Sequence, residues 1–292
     1  MNIVDAIILG LVEGVTEYLP VSSTGHLILA SRALGLDSDE TIKRAVDDFN
    51  IVIQGGAILA VLGLYWPRVL QMIRGLIAKD DDARKGRRLL INLIIAFIPA
   101  AVLGFLLDET IEKHLFKPWA VITALAVGGV WMIAIDFWRK KKFGTEHVAD
   151  TGDTIDDITW QRALLIGLFQ CVAMWPGTSR SMMTIAGGTI LGLKPRQAAE
   201  FSFLLGLPTL GGACVYKLAK NLKHAHVTGT PNLFEQLGWL PVIVGVAVAT
   251  ISAALAVRWL VSFLNKHGLA PFGYYRIVLA IAVVALTLIS TK

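Results

Sequence analysis

The sequence predicts an all-α polytopic membrane protein: six transmembrane helices plus two re-entrant helical hairpins in an inverted-topology repeat. Three observations carry that expectation. Of the 292 residues, 55% are hydrophobic and only 17% are charged, against roughly 25% charged residues in soluble domains. The mean hydropathy is +0.63, and long uncharged runs recur along the whole chain, which sets aside a large soluble enzyme. Two polar, proline-containing stretches also interrupt apolar surroundings in a similar way, one in each half.

The first of these stretches lies within residues 3–34. It contains EGVTEYLPVSSTGH, from Glu13 to His26, and breaks at Pro20. Its apolar start carries Asp5, Glu13 and Glu17 and has no basic flank or small-residue cleavage site, so it is expected to stay in the mature protein. Uncharged windows of spanning length follow at 49–67, 89–107, 118–135 and 236–257, with weaker ones at 201–216 and 271–290. The second break lies in 163–193, at Pro176-Gly177. Two short apolar arms around a polar break are the pattern of a re-entrant hairpin. Irregular backbone at membrane depth survives only where protein or a cavity surrounds it.

Charge sets the expected sidedness. The loop 68–88 holds seven Lys/Arg, and the region after Asp136 holds Arg139, Lys140, Lys141, Lys142 and Arg162. The intervening 108–117 is more acidic. The positive-inside rule puts the first two in the cytoplasm and the third outside. Parity then puts the first hairpin and loop 35–48 outside, brings the second hairpin in from the cytoplasm, and leaves Lys217–Lys223 outside. The net charge of +5 is read as topology and headgroup attraction, with no nucleic acid partner. Cys171 and Cys214 have no metal or redox spacing and read as small buried hydrophobes. Trp66, Trp119, Trp239, Tyr274 and Tyr275 read as interfacial anchors.

GLVEGVTEYLPVSSTG (10–25) resembles GLFQCVAMWPGTSRS (167–181). Both open Gly-Leu, carry Glu or Gln at the fourth position, reach a proline and run into hydroxyls. Asp48-Phe49 and Glu200-Phe201 then open a span in each half. The expectation is one integral membrane domain over 1–292 with repeat halves of about 1–150 and 151–292. Such repeats place their sites where broken helices meet.

Glu13 and Glu17 are one helical turn apart, so both carboxylates share a face. Two like charges in a dry site repel. A divalent cation, Mg2+ or Ca2+, would relieve them, and Mg2+ favours sites shared with phosphates. The alternative is a pair of structural glutamates capping the hairpin. Ser22, Ser23 and Thr24 open the second arm, where free N–H groups attract anions. His26 stands just behind, a candidate acid, base or nucleophile. The second break supplies Thr178, Ser179, Arg180 and Ser181. An arginine at that depth needs a partner. Its planar fork suits a phosphate, and an Arg180–Glu17 ion pair is the alternative without a ligand. The set suits a diphosphate on a lipid tail.

These residues carry a resemblance. GLVEGVTEYLPVSSTGH and WPGTSRS are similar to the two signature motifs of bacterial undecaprenyl-diphosphate phosphatases, the family linked to bacitracin resistance. The likeness extends through FNIVIQGGAILAV, IPAAVLG and AAEFSFLLGLP. It implies a multi-pass enzyme of the bacterial plasma (inner) membrane, with its active site facing the outer side and a homodimeric assembly. The implied reaction removes the terminal phosphate of a C55 isoprenoid diphosphate with a divalent cation, regenerating the lipid carrier of peptidoglycan synthesis. Carried over, the acidic motif falls on Glu13 and Glu17, the serine on Ser23, the histidine on His26 and the arginine on Arg180. Thr178 stands where relatives can carry Phe. The faint echo of soluble acid phosphatases transfers no histidine mechanism.

The expected roles follow. Glu13 and Glu17 hold the cation, and Arg180 with Ser22, Thr24, Thr178, Ser179 and Ser181 binds the diphosphate. The nucleophile is Ser23, activated by His26 or Glu17, then His26 itself, then a metal-bound water. The rival class is a transporter or flippase of isoprenoid phosphate lipid, since inverted repeats with broken helices also build transporters. Gln54 and Glu200 sit at related places without an assigned role.

Overall fold

The computed structural model describes residues 1–36, 40–115, 117–143 and 153–290. Among them the secondary structure is helical, apart from one isolated bridge between Asp153 and Leu193. The chain opens with two short helices, α1 (Ile3–Thr16) and α2 (Ser23–Ala33). Asn2 and Asp5 form a capping box that starts α1. Long helices α3 (Glu40–Leu64), α5 (Asp81–Leu115) and α6 (Pro118–Phe143) follow, with α4 (Trp66–Ile77) between the first two. A 3-10 turn at Ile155–Asp157 leads into a second short pair, α7 (Trp160–Val172) and α8 (Arg180–Ile190). The chain closes with α9 (Pro195–Thr228), α10 (Leu233–Leu237), α11 (Trp239–His267) and α12 (Ala270–Ser290).

Among the described residues, five segments are long and apolar enough to cross a membrane: Ala45–Leu64, Asp81–Leu107, Trp119–Lys141, Pro195–Thr228 and Trp239–His267. The sixth expected span falls on α12, whose apolar stretch Ala270–Ala285 is shorter. Both proline-containing regions fold as two short helices around an irregular break, as their patterning requires.

The structure differs from the sequence expectation in what surrounds the spans. Residues 68–88 are not simply a basic loop. Pro67 at the start of α4 ends one helix and opens another, because its fixed φ and missing N–H suit a first turn. Helix α4 then buries Met72 and Gly75 against α5. The loops expected at 108–117 and 217–223 are largely continuations of α5 and α9. Lysines and acids are good helix formers, so charge ended the span without ending the helix. The Gly229 cap, left-handed at φ 69°, stops α9. Residues 37–39, 116 and 144–152, within the expected loops 35–48, 108–117 and 136–162, lie outside the described residues.

Packing exchanges partners between the halves. Helix α1 runs along α11, and α7 runs along α5. Helix α3 packs on α11 as α9 packs on α5, and α6 pairs with α12. Small residues permit these approaches. A Cβ on Gly10 would stand 2.6 Å from the Gly245 carbonyl oxygen, and one on Gly167 would collide with that of Ala96. Such contacts are how helices associate where lipid removes the hydrophobic drive. The largest apolar cluster gathers around the two breaks, with Tyr18, Met182, Phe201 and Phe203 in it. Phe105, Val130, Phe137 and Val278 face outward, as lipid-facing positions do.

The glycine contacts give a direct check. Gly10→Ala and Gly167→Ala should each lower stability by about 1–3 kcal/mol through overpacking. Gly63→Ala, where a Cβ meets nothing within 4 Å, should be neutral or stabilising. Thermal unfolding in detergent measures this, and equal midpoints for all three would contradict the packing.

Candidate active site

The two breaks are built alike. A constant register pairs Gly10 with Gly167, Glu13 with Gln170, Ser22 with Ser179 and Ser23 with Arg180. Ser22 and Ser179 are the non-glycine residues at positive φ among those described, at 75° and 76°. Each is the N-cap of its second arm. Ser22 Oγ accepts from the Gly25 N–H and Ser179 Oγ from the Met182 N–H. A left-handed backbone at a residue with a Cβ costs about 1–3 kcal/mol and is held only by its surroundings. Here it sets Ser23 and Arg180 at the first position of α2 and α8, with both helix N-termini opening on the breaks. Free N–H groups and dipoles there favour an anion.

Glu17 ends α1, and its N–H donates to the Glu13 carbonyl at 2.9 Å, so the two carboxyls stand one turn apart. Both are almost fully buried. Ser23 Oγ donates to Glu17 Oε2 at 2.6 Å. Arg180 Nη2 lies 3.5 Å from Glu17 Oε1. The guanidinium also sits 5.3 Å from the centre of the Tyr18 ring, and its Nη1 donates to the Ser202 carbonyl at 2.8 Å. A Cβ at position 206 would come within 2.9 Å of Nη1, so Gly206 makes room for it. Ser181 Oγ donates to the Leu19 carbonyl at 2.9 Å, joining one break to the other. It is also 3.0 Å from Ser179 Oγ. Thr178 is buried beside them, and Thr24 is half-buried on the first turn of α2.

Several buried polar atoms here have no hydrogen-bond partner: Glu13 Oε1, Tyr18 Oη, and Arg180 Nε and Nη2. Leaving such atoms dry is costly unless a ligand completes them. Nε and Nη2 form one edge of the guanidinium, the edge that grips a phosphate through two parallel bonds. The Glu13 side chain lies against that of Glu17, and a cation would complete the pair. Among the described residues no cluster of three or more His, Cys, Asp and Glu forms a ready-made metal site. Two carboxylates suit a cation that takes its other ligands from phosphate oxygens and water.

His26 is not brought to Ser23. Its Nδ1 is 2.7 Å from the Ser22 carbonyl and its Nε2 is 2.6 Å from Tyr275 Oη. A carbonyl only accepts, so Nδ1 carries the proton and Nε2 accepts from the tyrosine. The two rings lie nearly parallel, their centres 5.6 Å apart. Of the two bases expected for Ser23, the structure puts Glu17 in contact. Tyr275, expected as an interfacial anchor, is exposed and also holds His26.

Sequence reasoning missed Tyr18, Ser202, Gly206 and Arg276. Arg276 is fully buried on α12. Its Nη2 donates to the Ala124 and Gly177 carbonyls, both at 2.9 Å, and its Nε to Leu125 at 3.4 Å. It therefore fixes the carbonyl of Gly177 in the second break. An arginine inside an apolar window was the available signal. Glu200 lies elsewhere, 2.9 Å from Arg68 Nε. Gln54 meets the Cys214 thiol at 3.6 Å.

The sequence profile of the family described as "Bacitracin resistance protein BacA" matches residues 6–282. A protein of Sorangium cellulosum (strain So ce56) named "Undecaprenyl-diphosphatase" is 45% identical over 276 residues, 94% of this chain and 83% of that protein. One of Persephonella marina (strain DSM 14350 / EX-H1) with the same name is 44% identical over 279 residues, 96% of each. A third so named, from Sulfurihydrogenibium sp. (strain YO3AOP1), is 42% identical over 281 residues, 96% of this chain and 98% of the other.

Arg276→Met should lower the thermal unfolding midpoint in detergent. It deletes hydrogen bonds to three buried carbonyls, each contributing about 1–3 kcal/mol when the donor is charged. An unchanged midpoint would remove Arg276 from the support of the second break.

Proposed function

The chain belongs to the bacitracin resistance protein BacA family, and we infer from that membership and from the site that it is an undecaprenyl-diphosphatase. It cleaves the anhydride of a C55 isoprenoid diphosphate, giving undecaprenyl phosphate and inorganic phosphate. This returns the lipid carrier to cell-wall synthesis and confers bacitracin resistance. The observation that carries the chemistry is Glu17, which touches Ser23 from its own break and Arg180 from the other.

The mechanism is built from those contacts. Arg180, steadied by the Ser202 carbonyl and the Tyr18 face, turns its Nε/Nη2 edge to the terminal phosphate. The N-termini of α2 and α8 add dipoles of the same sign. Preorganised positive groups at the developing charge are most of what phosphoryl transfer requires. Glu17 takes the Ser23 proton as Oγ attacks the terminal phosphorus. The bond to the bridging oxygen breaks, and undecaprenyl phosphate leaves with that electron pair. Water then attacks the phosphoserine, giving its proton to a carboxylate, and Oγ leaves and is reprotonated. Glu13 and Glu17 would hold a Mg2+ or Ca2+ ion, whose chemistry is to neutralise diphosphate oxygens. Ser22 and Ser179 shape the two arms, while Thr24, Thr178 and Ser181 stand beside the phosphate path. His26, tied to Ser22 and Tyr275, positions the first turn of α2.

The reading includes a topology: six spans, two re-entrant hairpins, and halves of about 1–150 and 151–292 related by inversion. The exchanged packing partners and the matched serine caps support it. The Lys/Arg-rich ends at 68–88 and 136–162 support a cytoplasmic placement in the inner membrane with the site opening outward.

Phosphate release from C55 isoprenoid diphosphate by purified protein tests this. Wild type should release phosphate, and EDTA should abolish release until a divalent cation is restored. Glu17→Gln and Ser23→Ala should each lose at least about 10²–10³ in turnover. Arg180→Lys should lose about 10²-fold, because it keeps the charge without the two-pronged edge. Near-normal turnover in Ser23→Ala would move the nucleophile to water. Lipid bound by wild type and left intact would favour the transporter.

A further inference from the structure

Away from these breaks, a cavity of about 440 Å³ opens where α5 meets the start of α7. Arg84, Arg87 and Arg88 line it with Asn92, Thr159 and Trp160. Asn92 Nδ2 and Arg88 Nε both donate to the Ile158 carbonyl, at 2.8 and 3.2 Å, which fixes the back wall. Arg84 is paired with Asp81. Arg87 has no carboxylate partner among the described residues.

The matching corner of the other half is built without arginines. The register set by Gly10 on Gly245 and Gly167 on Ala96 pairs Arg84, Arg87 and Arg88 with Leu233, Gln236 and Leu237 in the other half. The same register pairs Thr159 and Trp160 with Asn2 and Ile3. At that twin position Leu233 and Leu237 are buried and pack in one apolar cluster with Met1. One half closes the corner with leucines, and the other leaves it open and lines it with guanidinium groups.

An apolar track leaves the cavity. Ile91, Ile94 and Ile98 stand half-exposed along one face of α5, and Leu165 and Leu168 do so on α7. Trp160 is exposed at the rim, where a ring suits the boundary between headgroup and acyl chain. A free anion needs no such track, whereas a lipid needs both parts. Basic pockets between helices on the cytoplasmic side are where anionic headgroups bind. We propose that this cavity is a binding site for the headgroup of an anionic phospholipid, with the acyl chains lying along α5 and α7. The site is separate from the one that takes the isoprenoid diphosphate and does not depend on that assignment.

Native mass spectrometry of the full chain with phosphatidylglycerol or phosphatidylcholine reads occupancy directly. Wild type should retain phosphatidylglycerol in preference to phosphatidylcholine, and phosphatidylglycerol should raise its thermal midpoint. Any shift that inorganic phosphate gives should be the same in wild type and in the Arg84→Gln/Arg87→Gln variant, because phosphate meets the breaks and not this cavity. The double variant Arg84→Gln/Arg87→Gln should hold phosphatidylglycerol roughly tenfold or more weakly, with wild-type helix content and elution volume in detergent as proof of folding. Lys79→Gln/Lys85→Gln removes the same charge outside the cavity and should bind like wild type. Equal loss in both double variants, equal retention of both lipids, or a phosphate-induced shift that only the Arg84→Gln/Arg87→Gln variant loses would each overturn the proposal.

Discussion

Glu17 is held from two directions, by the Ser23 hydroxyl at 2.6 Å and by the Arg180 guanidinium at 3.5 Å. A buried carboxylate cannot stand alone, because the medium around it offers no compensating solvation. Its partners come from the two halves of the sequence, so both breaks must meet. The Ser181 bond to the Leu19 carbonyl, the glycine contacts of α1 and α7, and Arg276 on Gly177 all serve that meeting. Arg180 Nε and Glu13 Oε1 have no hydrogen-bond partner at that meeting, and the proposed diphosphate and cation would supply one to each.

The repeat explains how one frame yields a directional site. Both hairpins use a serine at positive φ to launch the second arm, and both present the next residue at the helix N-terminus. Only the side chains differ: Ser23 against Arg180, Glu13 against Gln170, Glu17 against Met174. In the proposed mechanism one hairpin supplies proton transfer and the other supplies charge. The same economy recurs at the periphery, where one half fills a corner with leucines and the other lines it with arginines.

Much of this was legible in the sequence. The proline breaks, the intramembrane acids and Arg180 are costly in an apolar chain, and cost marks function. Helix ends were less legible, because α5 and α9 continue through charged residues that form helix as readily as they contact water. The Ser202 carbonyl could not be read, since any residue supplies one. His26 was misplaced relative to Ser23 because three residues along a helix share a face without having to touch. What separated them was Tyr275, far along the chain.

The central claim is that Glu17 and Arg180 act as one unit across the two halves. A double-mutant cycle on phosphate release, with Glu17→Gln, Arg180→Gln and both together, tests it most directly. One unit predicts strong non-additivity, with the double variant little worse than the worse single one. Losses that multiply would mean the two residues act independently, and would contradict a shared site.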